Sequence, residues 1–128
     1  MKNIKEFILE KFKLNSKNIG HKYNYNPKDK NELEKLIFKL IKERGNDADL
    51  NDIDVSNIED MSYMFGNSEF NGDISNWDVS NVENMNYMFI NSKFNGDISE
   101  WDVSKVKDMD YIFHSCPLEK NPPKWYKK

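Results

Sequence analysis

The sequence predicts an α/β protein built as a short solenoid, and two observations carry that prediction. A block of 24 residues recurs in phase: residues 53–76 read IDVSNIEDMSYMFGNSEFNGDISN, residues 77–100 read WDVSNVENMNYMFINSKFNGDISE, and residues 101–113 begin a third copy with WDVSKVKDMDYIF. Each block also contains a strand-like spacing followed by a helix-like spacing. A fixed period in this range is typical of repeats that bury their apolar side only against their neighbours.

The first part of each repeat has the spacing of a buried strand. Ile74, Trp77 and Val79 follow the pattern I-x-x-W-x-V, and residues 50–55 and 98–103 repeat it. This is the L-x-x-L-x-L strand of a leucine-rich repeat, in which the named residues point inward and the intervening ones lie on an exposed strand face.

The second part of each repeat has the signature of a short helix. Ser80 is followed three residues later by Glu83, and Ser56 by Glu59, which is the spacing of a capping box. A helix is therefore predicted to begin at each serine, followed by a buried phenylalanine, Phe70 or Phe94. The repeated Asn-Gly-Asp at 71–73 and 95–97 then turns the chain back toward the next strand.

The two ends are predicted to be caps. Residues 3–13 have an amphipathic helical spacing, which suits a docked helix better than a membrane-surface helix because its polar face mixes both charges. After a connector at 15–27, a second helix runs from about Asp29 to Arg44, with Gly45 beyond it. The predicted sections are an N-terminal helical cap (1–49), leucine-rich repeats (50–116) and a C-terminal cap (117–128) with Pro122, Pro123 and Trp125.

The motif WDVSNVENMNYMF followed by FNGDIS resembles the BspA-like leucine-rich repeat family of bacterial proteins. That family includes mycoplasma-type surface proteins and small cytosolic or phage-associated relatives. The resemblance covers about residues 46–116 and implies a leucine-rich solenoid with a protein-binding role. Its surface members mediate adhesion and carry export signals. Residues 1–14 lack the apolar run of such a signal, so we expect a soluble, cytoplasmic monomer.

Motifs for catalysis or for a cofactor are not apparent in this sequence. It contains no G-x-S-x-G and no phosphate-cradling glycine loop, so we expect no enzyme activity and no cofactor. Cys116 is interpreted as a small buried residue, with a reactive thiol as the alternative. Asp73 and Asp97 invite a calcium interpretation, but turn chemistry also explains the Asn-Gly-Asp motif, and we expect no metal.

Charge is divided unevenly along the chain. Residues 1–45 carry 12 basic and 6 acidic residues, residues 46–113 carry 3 and 15, and residues 114–128 carry 4 and 1. The acidic repeats are either solvated surface or a face that steers the protein toward a basic partner.

Stacked repeats place equivalent residues in columns, and three columns are candidate partner-binding residues. The alternative for the tyrosines is packing between adjacent turns, and for the acids it is tolerance through solvent screening. Carboxylates stacked side by side cost stability, so a face that keeps them in three copies is a candidate binding surface. The columns are Asp54, Asp78 and Asp102; Asp52, Asn76 and Glu100; and Tyr63, Tyr87 and Tyr111.

These observations predict a non-enzymatic protein-binding module, an adaptor or inhibitor, whose acidic strand face engages a basic protein. One alternative is a DNA mimic that occupies the cleft of a nucleic-acid-binding protein. A second alternative is a self-assembling repeat whose basic ends meet acidic middles. We expect neither direct nucleic-acid binding nor membrane association.

Overall fold

The computed structural model describes residues 22–127. In chain order these residues form one helix, α1 (Lys30–Arg44), then three stacked 24-residue copies of irregular backbone, and a short 3₁₀ turn at Pro117–Glu119. The amphipathic helix predicted at 3–13 lies outside the described residues. The predicted division into sections at 1–49, 50–116 and 117–128 stays a prediction.

Helix α1 forms where its sequence predicts it. Leu33, Ile37 and Leu40 recur at helical spacing and are buried against the repeats. Asp29 caps the N-terminus by accepting the N–H of Glu32 at 2.9 Å. Gly45, with φ of 96°, ends the helix and donates its N–H to a carbonyl in the last turn.

The predicted α/β leucine-rich repeat solenoid is wrong. Within residues 22–127 the structure contains a single α-helix, and parallel pairing is confined to isolated bridges rather than strands of a sheet. The strand expected at I-x-x-W-x-V and the short helix expected after each serine are both absent from the described copies. The bridges join Tyr25 to Ile53, Asp49 to Asp73, Asp60 to Asn84, and Asn84 to Asp108.

Local turns replace the predicted strand. The N–H of Trp77 donates to the carbonyl of Ile74 at 3.2 Å, and the N–H of Val82 donates to the carbonyl of Val79 at 3.0 Å. Between these two turns, the carboxylate of Asp78 accepts the N–H of Ser80 at 3.1 Å. Side chains that bond to nearby backbone groups offer the chain an alternative to a sheet ladder, and two successive turns leave no extended segment to pair.

The predicted helical stretch instead bonds to the next copy. The N–H of Met61 donates to the carbonyl of Asn84 at 2.8 Å, rather than to a carbonyl four residues earlier. The N–H of Tyr63 donates to the carbonyl of Asn86 at 3.1 Å in the same way. Tyr63 also has a left-handed backbone, with φ of 58°, which interrupts a right-handed helix.

The 24-residue spacing is visible in bonds that repeat from copy to copy. Each tryptophan indole N–H reaches back to a carbonyl of the preceding copy. The acceptors, at 2.9, 3.1 and 2.7 Å, are the carbonyls of Leu50 for Trp77, Ile74 for Trp101, and Ile98 for Trp125. Asn91 likewise bonds through its side-chain amide to Asn67 at 3.2 Å. Equivalent positions therefore lie one above another.

The core is a continuous stack of aromatic rings. The ring of Phe89 is parallel to Phe65 at 5.7 Å and nearly parallel to Phe113 at 5.9 Å, measured between centroids. A second column pairs Phe70 with Phe94 at 6.1 Å. One buried cluster contains these rings, the apolar side of α1 and the 3₁₀ turn, so the core extends from end to end of the stack.

Candidate functional site

The tyrosine column, Tyr63, Tyr87 and Tyr111, is an aromatic ridge on the surface. The rings of Tyr63 and Tyr87 stack at 4.7 Å with 12° between their planes, and those of Tyr87 and Tyr111 at 5.5 Å with 10°. Tyr63 is 56% exposed and Tyr111 is 60% exposed. The interpretation of packing between adjacent turns is thus correct for the ring faces, while much of the column is open to solvent.

Backbone conformation makes this column unusual. Tyr63, Tyr87 and Tyr111 have φ of 58°, 59° and 55°, in the left-handed region that bulky side chains seldom adopt. Each such residue costs about 1–2 kcal/mol, and each stacked aromatic pair returns about 0.5–1.5 kcal/mol. Two stacked pairs therefore offset only part of the strain of three residues.

The acidic column Asp54, Asp78 and Asp102 is fixed by turns. One carboxylate oxygen of each aspartate accepts the backbone N–H two residues later, at 3.0 to 3.1 Å. This bond stabilises the local turn and offsets the like-charge repulsion expected from a carboxylate column. The repeated Asp-Val-Ser spacing is the sequence signal for that turn, and the strand prediction passed over it.

The members of the second column, Asp52, Asn76 and Glu100, have different surroundings. Arg44 of α1 donates to both carboxylate oxygens of Asp52, at 2.9 and 3.0 Å, and the amide of Asn24 also donates, at 2.8 Å. The Arg44 guanidinium is the main reason that the pKa of Asp52 falls to about 2. Asn76 and Glu100, the other members of this column, are exposed. The N-terminal end of the column is therefore neutralised from within the protein.

Sequence reasoning missed Tyr23, which lies near the acidic column. Burial, followed by the nearby charges of Asp54 and Asp78, raises the pKa of its phenol. Tyr25, two residues later, bridges to Ile53, so this connector runs alongside the first copy. The connector has no apolar periodicity in the sequence, so the sequence did not indicate that it packs against the first copy.

The side chains considered for metal or thiol chemistry form hydrogen bonds within the fold. Asp73 and Asp97 each accept from the serine two residues later, which lowers their pKa values. Within residues 22–127 no three metal-ligating side chains come together. Cys116 is buried and donates to the carbonyl of Phe94 at 3.2 Å, and burial raises its pKa. The described part of the chain also has no helix with the length and apolar character to cross a membrane.

Comparison with known proteins places the chain in a family without naming an activity. No curated protein and no solved structure matches it. A family model matches residues 32–127, from within α1 through all three copies to the C-terminal segment. Because this match covers most of the chain, the protein belongs to the family described as "Mycoplasma protein of unknown function, DUF285".

Proposed function

We propose that this protein is a non-enzymatic binding module that engages a basic protein through its tyrosine column and its acidic columns. The observation that carries the proposal is the in-register stack of Tyr63, Tyr87 and Tyr111, in which the two outer rings are exposed and Tyr87 is half-buried. The tyrosine of every copy has a strained backbone, and packing between the rings offsets only part of this strain. Strain of this kind is concentrated at binding and functional sites.

The chemistry of the columns suits basic side chains. A guanidinium packs on the face of a tyrosine ring, and it pairs with a carboxylate through two parallel hydrogen bonds. Residues 46–113 contain 15 acidic and 3 basic residues, so their field attracts a cationic partner before contact. Asp54, Asp78 and Asp102 are held by their turns, which lowers the entropy cost of ordering them on binding.

The proposal also includes a relationship to the BspA-like family and a cytoplasmic location. The recurrence of WDVSNVENMNYMF followed by FNGDIS at a fixed spacing supports the relationship. The matched family is compatible with mycoplasma-type repeat proteins. The role implied by that relationship is protein binding, and the proposed state of the module is a monomer that acts on its partner from solution.

The test uses a ten-residue arginine peptide as a defined basic probe, with binding measured by calorimetry across a salt series. Changing Asp54, Asp78 and Asp102 together to Asn keeps the oxygen that accepts the turn N–H and removes the charge. We expect weaker binding and a smaller salt dependence, because steering by charge is lost. The matched control changes Asp49, Asp73 and Asp97 to Asn, which removes three charges from another turn column.

The tyrosine column is tested by changing Tyr63, Tyr87 and Tyr111 to Asn, a residue that tolerates the left-handed conformation. The expected result is lost binding with the circular dichroism spectrum retained. Equal effects of the two aspartate triples would show that only overall charge matters. Arginine-peptide binding that survives both the Asp54 triple and the tyrosine triple would refute the assigned surface. Competition between DNA and the partner captured from cells would favour the DNA-mimic alternative.

A further inference from the structure

The chain contains two Asn-Gly pairs, and both lie in the repeated motif FNGDIS, at residues 70–75 and 94–99. We call residues 71–73 the first Asn-Gly turn and residues 95–97 the second. Asn-Gly is the pair most prone to deamidation, because glycine has no side chain to keep its backbone nitrogen away from the asparagine carboxamide. Both asparagines are exposed to water. Since the two motifs are identical, a difference in their chemistry must come from the fold.

The backbone of the first Asn-Gly turn is held by hydrogen bonds to the segment before it. The N–H of Asn71 donates to the carbonyl of Asn46 at 2.7 Å, and the N–H of Asp73 donates to the carbonyl of Ala48 at 2.9 Å. The carbonyl of Asp73 also accepts the N–H of Leu50 at 2.9 Å. These three bonds fix the backbone on both sides of the glycine and oppose rotation of the Asn-Gly peptide.

The side chain of Asn71 is held as well. Its carboxamide oxygen accepts the N–H of Asn95, in the next copy, at 2.8 Å. The equivalent bond to the side chain of Asn95 would come from the N–H of Glu119. That N–H instead donates to the carbonyl of Cys116 at 2.9 Å, at the 3₁₀ turn. The side chain of Asn95 consequently lacks the hydrogen bond that holds the side chain of Asn71.

The backbone of the second Asn-Gly turn has fewer hydrogen bonds than the first. The bridge that joins Asp49 to Asp73 has no counterpart between Asp73 and Asp97 in the described part of the chain. Among residues 22–127, neither the N–H nor the carbonyl of Asp97 has a backbone partner. Asn95 donates its N–H to a side chain, which can move with the turn. The second turn can therefore change its conformation without breaking bonds between backbone segments.

The space around the two glycines differs in the same direction. A Cβ on Gly72 would lie 1.9 Å from the carbonyl oxygen of Ala48, so the preceding segment is in close contact with the first turn. At Gly96 the carbonyl oxygen of Gly72 would lie 3.3 Å away, and the closer atoms belong to the ring of Phe94. Movement at Gly96 thus meets a ring that can shift, whereas movement at Gly72 meets hydrogen-bonded backbone.

We propose that Asn95 is a site of spontaneous deamidation and that the fold protects Asn71 from the same reaction. The deprotonated backbone nitrogen of Gly96 attacks the carboxamide carbon of Asn95. A new C–N bond closes a succinimide ring, and the carboxamide C–N bond breaks. The amide leaves as ammonia, which takes up a proton equivalent to the one lost from Gly96.

Water then opens the succinimide ring. Addition at the side-chain carbonyl gives aspartate, and addition at the backbone carbonyl gives isoaspartate. One water is consumed and one ammonia is released, with no change of oxidation state. The product adds a carboxylate to a segment, residues 46–113, that already carries 15 acidic residues. This inference does not depend on the proposed binding of a basic protein.

The test follows both asparagines in the full chain during incubation in mildly alkaline buffer. Trypsin cleaves after Lys93 and Lys105, which isolates Asn95 in a peptide, residues 94–105, that contains no other asparagine. Mass spectrometry detects the change from amide to acid in this peptide, and fragment ions locate the same change at Asn71. We expect Asn95 to react at least about tenfold faster than Asn71, because the bonds of the first turn must open before Asn71 reacts.

The matched control is the same chain unfolded in guanidinium chloride. The two turns then share one local sequence without their hydrogen bonds, and Asn71 and Asn95 should react at equal rates. A second control is Asn95→Gln, whose longer side chain must close a larger and less favourable ring. This variant should abolish the reaction in residues 94–105 and leave the slow reaction at Asn71 unchanged.

Three results would overturn this proposal. The first is an equal rate at Asn71 and Asn95 in the folded protein, which would mean that local sequence alone determines the reaction. The second is an Asn95 that reacts in the unfolded chain and is inert in the folded one, since the fold would then protect both sites. The third is a preference for Asn95 that is just as large in guanidinium chloride, because the hydrogen bonds of the first turn could not be its cause.

Discussion

At the scale of single residues, the same residue type at the same repeat position can have different neighbours. Gly72 and Gly96 occupy the same position of the repeated Asn-Gly-Asp. A Cβ on Gly72 would lie 1.9 Å from the carbonyl oxygen of Ala48, whereas a Cβ on Gly96 would meet mainly the ring of Phe94 at 2.7 Å. A side-chain ring can rotate or shift, but a hydrogen-bonded backbone cannot do so cheaply. Gly72 is therefore required by the close approach of the preceding segment.

Gly72→Ala should destabilise the protein by about 3 kcal/mol and Gly96→Ala by about 1 kcal/mol, the high and low ends of the usual cost of overpacking. Urea unfolding of both variants measures the difference. Equal losses would mean that the turn conformation, and not the contact with Ala48, determines the requirement for glycine.

Asp52 gives the protein a pH-dependent ion pair. Its pKa is about 2 in the folded protein because of Arg44, against an ordinary value of 3.8. A lowered carboxyl pKa stabilises the fold above the unfolded value, and that stability is lost as the pH falls from about 4 toward 2. The loss should be about 1 kcal/mol, after allowance for solvent screening of a partly exposed pair.

Asp52→Asn should remove this contribution, so its unfolding free energy should fall less than that of the unmodified protein between about pH 5 and pH 2.5. Urea midpoints at the two pH values measure it. Asp47→Asn, at an exposed carboxylate nearby in sequence, is the control and should follow the unmodified protein. If the two variants behave alike, the Arg44 pair contributes nothing measurable to stability.

At the scale of elements, helix α1 was predictable and the repeat interior was not. The cap at Asp29, the apolar spacing of Leu33, Ile37 and Leu40, and the terminal Gly45 agree with one another, and local preference matches the packing. Inside a repeat, I-x-x-W-x-V satisfies a strand template and a chain of turns equally well. Inward burial of Ile74 and Trp77 is common to both and does not distinguish them.

The deciding feature of the repeat was hydrogen bonding at short range. Asp-x-Ser spacing closes turns around Asp78 and Asp97, while Ser92 accepts the N–H of Phe94 in a similar way at 3.3 Å. These bonds satisfy backbone donors within the copy and remove the need for a sheet. The columns of the candidate site followed from the 24-residue period alone. The pairing of Asp52 with Arg44 could not be predicted from the period, because it depends on where α1 docks.

At the scale of the whole molecule, the tryptophan indole hydrogen bonds connect each copy to the preceding one, and we call this series of bonds the tryptophan ladder. Trp77 is 1% exposed, contacts the ring of Phe65 at 5.8 Å, and bonds to the carbonyl of Leu50 at 2.9 Å. Trp125 makes the same indole bond at 2.7 Å but is only half-buried and has no further copy beyond it. In a stack of nearest-neighbour contacts, a central loss affects both sides and a terminal loss affects one.

Trp77→Ala should therefore cost about 3–5 kcal/mol, the range for removal of a large buried aromatic residue. That is a large part of the roughly 5–15 kcal/mol that holds a small domain together. Trp125→Ala should cost about half as much, and its effect should be confined to the end of the stack. Hydrogen exchange resolves the two: Trp77→Ala should accelerate exchange at amides of all copies, including Met61 and Met85, whereas Trp125→Ala should accelerate it only at the end of the stack, at the hydrogen-bonded amides of Ile112 and Cys116. Uniform acceleration in both variants would show that the stack unfolds as one cooperative unit, and that the ladder does not divide its stability among the copies.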